Sequence, residues 1–453
     1  MLGLLRHGIV VNVEHHVLPQ LSLSRNLWSC EPMRKRGHMN TLRQLRNFWM
    51  LWVTTIVLAC SSDAGAQVSY QVTDLGVLGN GNLGCAMAVN NQGWTEIMDG
   101  VLNPVSNSLF APLVSGRAVL NIGELKIDLG TLGGTNSWIN YGGLNDRGEA
   151  VGMAETSVPD PDGEDVCGFG TKRTCSPFLW RNGHMSALPT VGGNNGQAAA
   201  INNRGQIAGF AETTVPDSSC PASAPSKTDS PVIWEDGKAQ ALPTVVGDPD
   251  GQAQGINEQG QVVGYSGDCI RAHHAMLWEN GTAFALPGLG IARSNIAYGI
   301  NDRGQIVGQS RSADGTTFVA VLWQDRVITN LGTLPGDHAA IATGINNRGQ
   351  VVGSTLDAGL NWSHAFIWQD GVMKDLNTMF PADSNLFATM ANKINERGQI
   401  SGMATVLSGP HTGDIHAFLA TPVNASIGTS VADVVPGHPQ SNLPANVPNT
   451  PLN

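Results

Sequence analysis

"GINDRGQIVGQS" occupies residues 299–310. Near-copies stand at 255–266 ("GINEQGQVVGYS") and 344–355 ("GINNRGQVVGST"). Working outward from Asn301, the Asn of an N-x-x-G recurs at Asn90, Asn145, Asn202, Asn257, Asn346 and Asn395. Successive copies lie 55, 57, 55, 44, 45 and 49 residues apart. Periods of about 40–50 residues are those of propeller blades, whose units bury their apolar faces only against one another.

Two further elements keep step. One is an apolar pair followed by Trp and a turn: "FLWRNG" from 178, "VIWEDG" from 232, "MLWENG" from 276, "VLWQDR" from 321 and "FIWQDG" from 366. The other is "LGVLG" from 75, "LGTLGG" from 129, "LPTVGG" from 188, "LPGLG" from 286 and "LGTLPG" from 331. The unit therefore reads as four short strands, a to d. Asn and Gly at the ends of a four-residue turn suit a tight a–b hairpin, and W-x-[ND]-G suits a tight c–d hairpin. The residue four before the Asn is Ala in six of seven units, with Tyr141 the exception. The residue two before it is Gly or Ala except at Lys393. Small side chains are what crowded inner strands require, and the Trp residues fill volume farther out. The repeat region begins with a lone d-type strand, "YQVTDLG", and ends on a c-type strand, "IHAFLA". The expected fold is all-β: a seven-bladed β-propeller of four-stranded antiparallel blades, closed by the N-terminal strand completing the last blade.

"SHAFIW" (363–368), "IHAFLA" (415–420), "DLGTLGG" (128–134) and the Asn-Gly stretches together resemble the HAF-repeat family of bacterial proteins taken to be extracellular. The resemblance spans roughly 68–422. Leu113 and Ala420 stand where the pattern has Trp. It implies location and architecture and brings no reaction with it.

The formal net charge is -11, and charged residues make up 13% of the chain. Clustered Lys and Arg are lacking, so nucleic acid is not an expected partner. Residues 39–66 read as a signal peptide. Arg43 and Arg46 lead a short apolar run, with cleavage between Ala66 and Gln67. The alternative is lipidation of Cys60 in "VLAC", which would be the one route to a membrane. Residues 1–38 read as an upstream translation artefact, 67–423 as the repeat domain, and 424–453 as a disordered Pro- and Asn-rich tail. The expectation is an exported monomer, secreted or periplasmic, or else an outer-membrane lipoprotein.

Export permits disulfides. Cys167 and Cys175 share one b–c loop, and Cys220 and Cys269 lie in the next two, so these pairs are expected and Cys85 is left free. With a–b and c–d turns on one face, the b–c and d–a loops share the other, where function usually sits. Candidate ligand contacts there are Asn136, Trp138, Tyr141, Asp337, His338, His273 and His274. Asp160, Asp162, Glu164 and Asp165 offer hard oxygens for Ca²⁺, though not in a full EF-hand spacing; otherwise no cofactor is expected. The recurring c-strand histidines, His364 and His416 among them, read as structural, and no closely spaced zinc-ligand motif is evident. No nucleophile elbow, P-loop or dinucleotide fingerprint occurs. The functional expectation is a non-catalytic binding protein for a peptide, protein or glycan. The alternatives are a polysaccharide hydrolase or lyase and a structural envelope protein.

Overall fold

The computed structural model describes residues 68–77, 81–102, 113–221, 226–269, 271–290 and 294–423. The signal peptide, Cys60, Ala66, Gln67, the segment 1–38 and the tail 424–453 lie outside the described residues. Among the described residues no helix is long and apolar enough to cross a membrane.

The fold is all-β. After β1 (Ser69–Gly76) come β2–β5 (Leu83–Val89, Thr95–Leu102, Leu113–Ile122, Leu125–Asp128), an antiparallel meander. The same meander recurs in β6–β9 (Gly133–Leu144, Ala150–Pro159, Arg173–Arg181, His184–Ala187) and β10–β13 (Gly196–Ile201, Ile207–Pro216, Lys227–Glu235, Lys238–Ala241). It recurs again in β14–β17 (Asp250–Ile256, Val262–Gly267, Ala272–Glu279, Thr282–Ala285) and β18–β21 (Ile296–Ile300, Ile306–Arg311, Phe318–Gln324, Val327–Gly332). β22–β25 (Ala339–Ile345, Val351–Leu356, Trp362–Gln369, Val372–Asp375) repeat it once more. The final unit has only β26–β28 (Leu386–Ile394, Ile400–Val406, Ile415–Val423), and its fourth strand is β1, antiparallel to β28 from Ser69↔Val423 to Gly76↔Ala417. Radially repeated four-stranded meanders are the β-propeller arrangement.

The motif letters now have physical causes. The Asn301 carboxamide oxygen accepts the backbone N–H groups of Arg303 and Gln305 (both 3.0 Å), fixing the a–b turn. Its nitrogen donates to the Gln305 side chain (2.8 Å) and to the backbone carbonyl of Asn346 in the next unit (2.9 Å). The same unit-to-unit bond joins Asn90 to Asn145, Asn145 to Asn202, Asn202 to Asn257, Asn257 to Asn301, Asn346 to Asn395, and Asn395 back to Asn90. Gln of the motif then reaches the residue after Trp: Gln305 donates to Gln324 and Gln350 to Gln369. Trp bonds backward, Trp234 to the carbonyl of Pro189, Trp278 to Pro243 and Trp323 to Pro287. The three recurring elements stay in register because each binds another, within or across units.

The last Gly of the motif answers to a bulge. In the first strand of the unit the register slips between Ala297 and Gly299, and a Cβ at Gly308 would sit 2.0 Å from the Ile296 carbonyl oxygen. No side chain fits there. The core lies between units: Trp180, Trp234, Trp323, Phe178, Phe366 and Phe418 are fully buried. Tyr70 of β1 packs in the last unit's core with Phe418, Leu386 and Ile400.

Candidate functional site

Two faces offer polar groups. On the tight-turn face, the residue after each anchor Asn forms a second set of unit-to-unit bonds. The N–H of Glu258 donates to Asp302, that of Asp302 to Asn347, that of Asn347 to Glu396, and that of Glu396 to Asn91. Asn91, Asp146 and Asn203 continue it toward Glu258. Beneath this collar Ile201, Ile256, Ile300 and Ile345 help line a cavity of about 180 Å³. Lys393 stands in its wall where the other units have Gly or Ala. Burial lowers its ammonium to about 8, although part of its surface faces the cavity. The collar carboxylates serve mainly as acceptors for the collar itself.

The looped face carries the residues singled out from the sequence, and most are tied into scaffold. Asn136 is 3% exposed; its amide donates to Glu155 (2.9 Å) and accepts from the Gly116 N–H (3.1 Å). Trp138 is half-buried, edge-on to Phe169 at 6.3 Å. Tyr141 lies on an inner strand, edge-on to Tyr298 at 6.2 Å, and burial raises its phenol. Neither Asn136 nor Tyr141 offers a surface to a ligand on the loops. His273 and His274 both donate from Nδ1 to Asp248 (3.1 and 2.7 Å), which also accepts from Ser266. Burial pushes the Asp248 carboxyl up, and these three donors outweigh it and hold the group low. Asp337 repeats the arrangement with His364 (2.9 Å) and Thr355 (2.5 Å). The recurring histidine is thus the anchor of its d–a loop. His338 is exposed, and its backbone carbonyl accepts from Thr317.

The acidic loop is likewise engaged. Asp160 accepts the N–H groups of Asp162 and Glu164 and the amide of Asn195. Asp162 pairs with Lys227 at 2.5 Å and accepts from Asn194. Glu164 accepts from Asn195, and Asp165 caps the N–H of Gly170. Within this network Glu164 Oε1 and Asp165 Oδ1 are buried without a hydrogen-bond partner, while the other carboxylate oxygens named here are engaged by neighbours.

Both expected disulfides occur. Cys167–Cys175 closes one loop, and Cys220–Cys269 joins two loops of adjacent units. Cys85 is free and buried, its thiol pushed up to about 12 by burial, which is unsuited to a nucleophile.

The sequence reading did not anticipate two clusters. Near the Cys220–Cys269 bridge, Asp217, Asp229 and Asp250 are all under 8% exposed. Burial first, then Asp229 and Asp217, raise the Asp250 carboxyl to about 8. An unfolded Asp titrates near ~4. Between these values folded Asp250 holds a proton that the unfolded chain releases. Its stability contribution is therefore complete below about pH 4 and is lost as pH rises through 8, at roughly 1.4 kcal/mol per pH unit. Asp250→Asn keeps the acceptor for the Asp229 N–H and cannot ionise. Urea denaturation should show the variant matching wild type at pH 4 and exceeding it by a few kcal/mol at pH 8. Parallel pH profiles would contradict this assignment.

The second cluster is "HTGDIH", 411–416. One ligand atom from each of His411, Asp414 and His416 lies within 4.8 Å of the others. His416 donates from Nδ1 to both Asp74 oxygens (2.9 and 3.0 Å). The three residues are near neighbours in sequence, and Asp74 reaches them only through the β1–β28 pairing.

No family model matches the sequence, and no curated protein matches it either. Solved structures resemble it in outline. A streptogramin B lyase structure overlaps 78% of this chain and 98% of its own, with 7% identity and a TM-score of 0.45. The β-propeller domain of the Trilobed protease from Pyrococcus furiosus overlaps 76% of this chain and 94% of its own, with 11% identity and a TM-score of 0.42. Likeness at that level transfers no activity.

Proposed function

We propose that this protein is an exported, closed seven-bladed β-propeller that binds a peptide or protein on its looped face, across the second to fourth units. The seven-membered Asn relay and the β1–β28 pairing support the closed ring. The two disulfides fit an oxidising compartment outside the cytoplasm.

The observation that carries the binding role is a pre-tied loop surface with apolar side chains left facing solvent. Cys220–Cys269, Asp162–Lys227 and Asp162–Asn194 cross-link neighbouring loops. At the ends of β7 and β11, where these loops begin, Val158 and Val215 are 55% and 56% exposed, and Val246, on the loop that Asp248 ties to His273 and His274, is 101% exposed. Holding loops in place lowers the ordering cost of association, and the exposed valines give a partner apolar surface to bury. A glycan binder would instead present unengaged polar groups and aromatic faces. Here the loop amides and carboxylates are largely bonded to one another.

Peptide and glycan arrays probed with the purified protein test this reading. Peptide hits are expected, weakened about tenfold or more by Val215→Glu with Val246→Glu, while the melting temperature stays unchanged. Hits on glycans alone, or peptide hits indifferent to both substitutions, would overturn it.

A further inference from the structure

We propose that His411, Asp414 and His416 bind one divalent transition-metal ion, zinc by ligand chemistry, with Asp74 as the positioning residue. Four observations carry this, and it stands apart from the binding role above.

The ligand set is two imidazoles and one carboxylate, each contributing one atom within 4.8 Å of the other two. Ligand atoms around tetrahedral zinc lie about 2.0–2.2 Å from the metal. An inward movement of about an ångström in the partly exposed 407–414 loop would complete the shell.

His416 is 7% exposed, and its Nε2 is buried with no hydrogen-bond partner. An orphaned buried nitrogen is costly in a folded protein. A metal ion bound there would engage it.

Asp74 takes the other ring nitrogen of His416. With Nδ1–H committed to a carboxylate, Nε2 carries the lone pair. Metal-ligating histidines almost always have this carboxylate–imidazole orientation.

The fourth observation is the contrast with the other units. The His–Asp pair itself is scaffold, as at His364–Asp337. There the imidazole packs edge-on to Phe387, ring centroids 5.5 Å apart. In the last unit that neighbour is His411, at 5.7 Å, and Asp414 stands beside it, bonded to His411 at 3.1 Å. Among the described residues this is the one anchor histidine whose ligand atom lies within 4.8 Å of two further ligand groups that also lie that close to each other. The loop bonds Asp414 N to His411 O and Val406 N to Asp414 O hold the donors on one turn. Three protein ligands leave a fourth position for water.

The test is a zinc titration by calorimetry on the full chain after chelator treatment, comparing wild type with His411→Ala and Asp414→Asn. The His411 and Asp414 side chains are 60% and 31% exposed, so both variants should fold as wild type does. The expected result is one zinc equivalent fewer in each variant, and a zinc-dependent rise in melting temperature confined to wild type. Asp74→Asn should keep the stoichiometry and weaken affinity about 10–100-fold. Equal stoichiometry and affinity in wild type and the His411 and Asp414 variants would overturn the assignment. So would the absence of zinc-dependent stabilisation in wild type.

Discussion

A protein lacking Ser69–Gly76 is expected to melt about 10 °C lower than wild type. The strand supplies the fourth member of the last unit, bonded along β28 through seven register pairs. Its Tyr70 and Leu75 are 2% and 7% exposed, and each side chain stabilises by roughly 2–3 kcal/mol through burial. The ladder bonds add about 1 kcal/mol apiece, and their loss bares the edge of β28 to other chains. A total on the order of 6–10 kcal/mol, scaled by the per-residue unfolding entropy to a chain this long, gives the stated shift. Differential scanning calorimetry measures it, and the truncated protein should also aggregate sooner. A peptide of residues 68–77 supplied in trans should restore part of the loss. An unchanged melting temperature would mean that β1 is decoration.

Asn301→Ala is the second large effect. One side chain makes four bonds: two accepted within its own turn, one donated to Gln305 and one to the next unit's Asn346 carbonyl. Alanine orphans the part-buried N–H groups of Arg303 and Gln305 and takes one of two donors from the buried Asn346 carbonyl, which keeps the Gly349 N–H. Each orphan costs about 1–3 kcal/mol, so a loss of roughly 3–5 kcal/mol is expected in chemical denaturation. Asn301→Asp preserves the acceptor and removes the donor. It should fail at neutral pH and recover partly in acid, where the carboxyl regains a proton to give. Arg303→Ala, in the same turn but solvent-exposed, should stay within about 0.5 kcal/mol. Equal losses at 301 and 303 would remove the relay from the energetics.

The hairpins, the unit length and the small inner residues were legible in the sequence because they are local, and local geometry writes itself into spacing. Gly308 was legible only as a strand residue. Its reason, a carbonyl pushed into its Cβ position by a bulge on the neighbouring strand, is a tertiary fact. The Asn was read correctly as a turn former, yet one of its four side-chain bonds crosses to the next unit and leaves no local trace. The candidate residues fared unevenly for the same reason. Asn136 and Tyr141 looked available because the sequence cannot display Glu155 or Tyr298 beside them. His416 looked structural, as its relatives are. What sets it apart is the pair His411 and Asp414, on a loop that sequence spacing alone gave no reason to single out.

The β1–β28 pairing also orders events in time. Ser69–Gly76 is made more than three hundred residues ahead of its partner Ile415–Val423. Until then the early strand has nothing to join, and the first and last units cannot dock. The β1–β28 pairing therefore waits until Ile415–Val423 has been made. A chain paired this way stays unlocked at β1, and so threadable, until then.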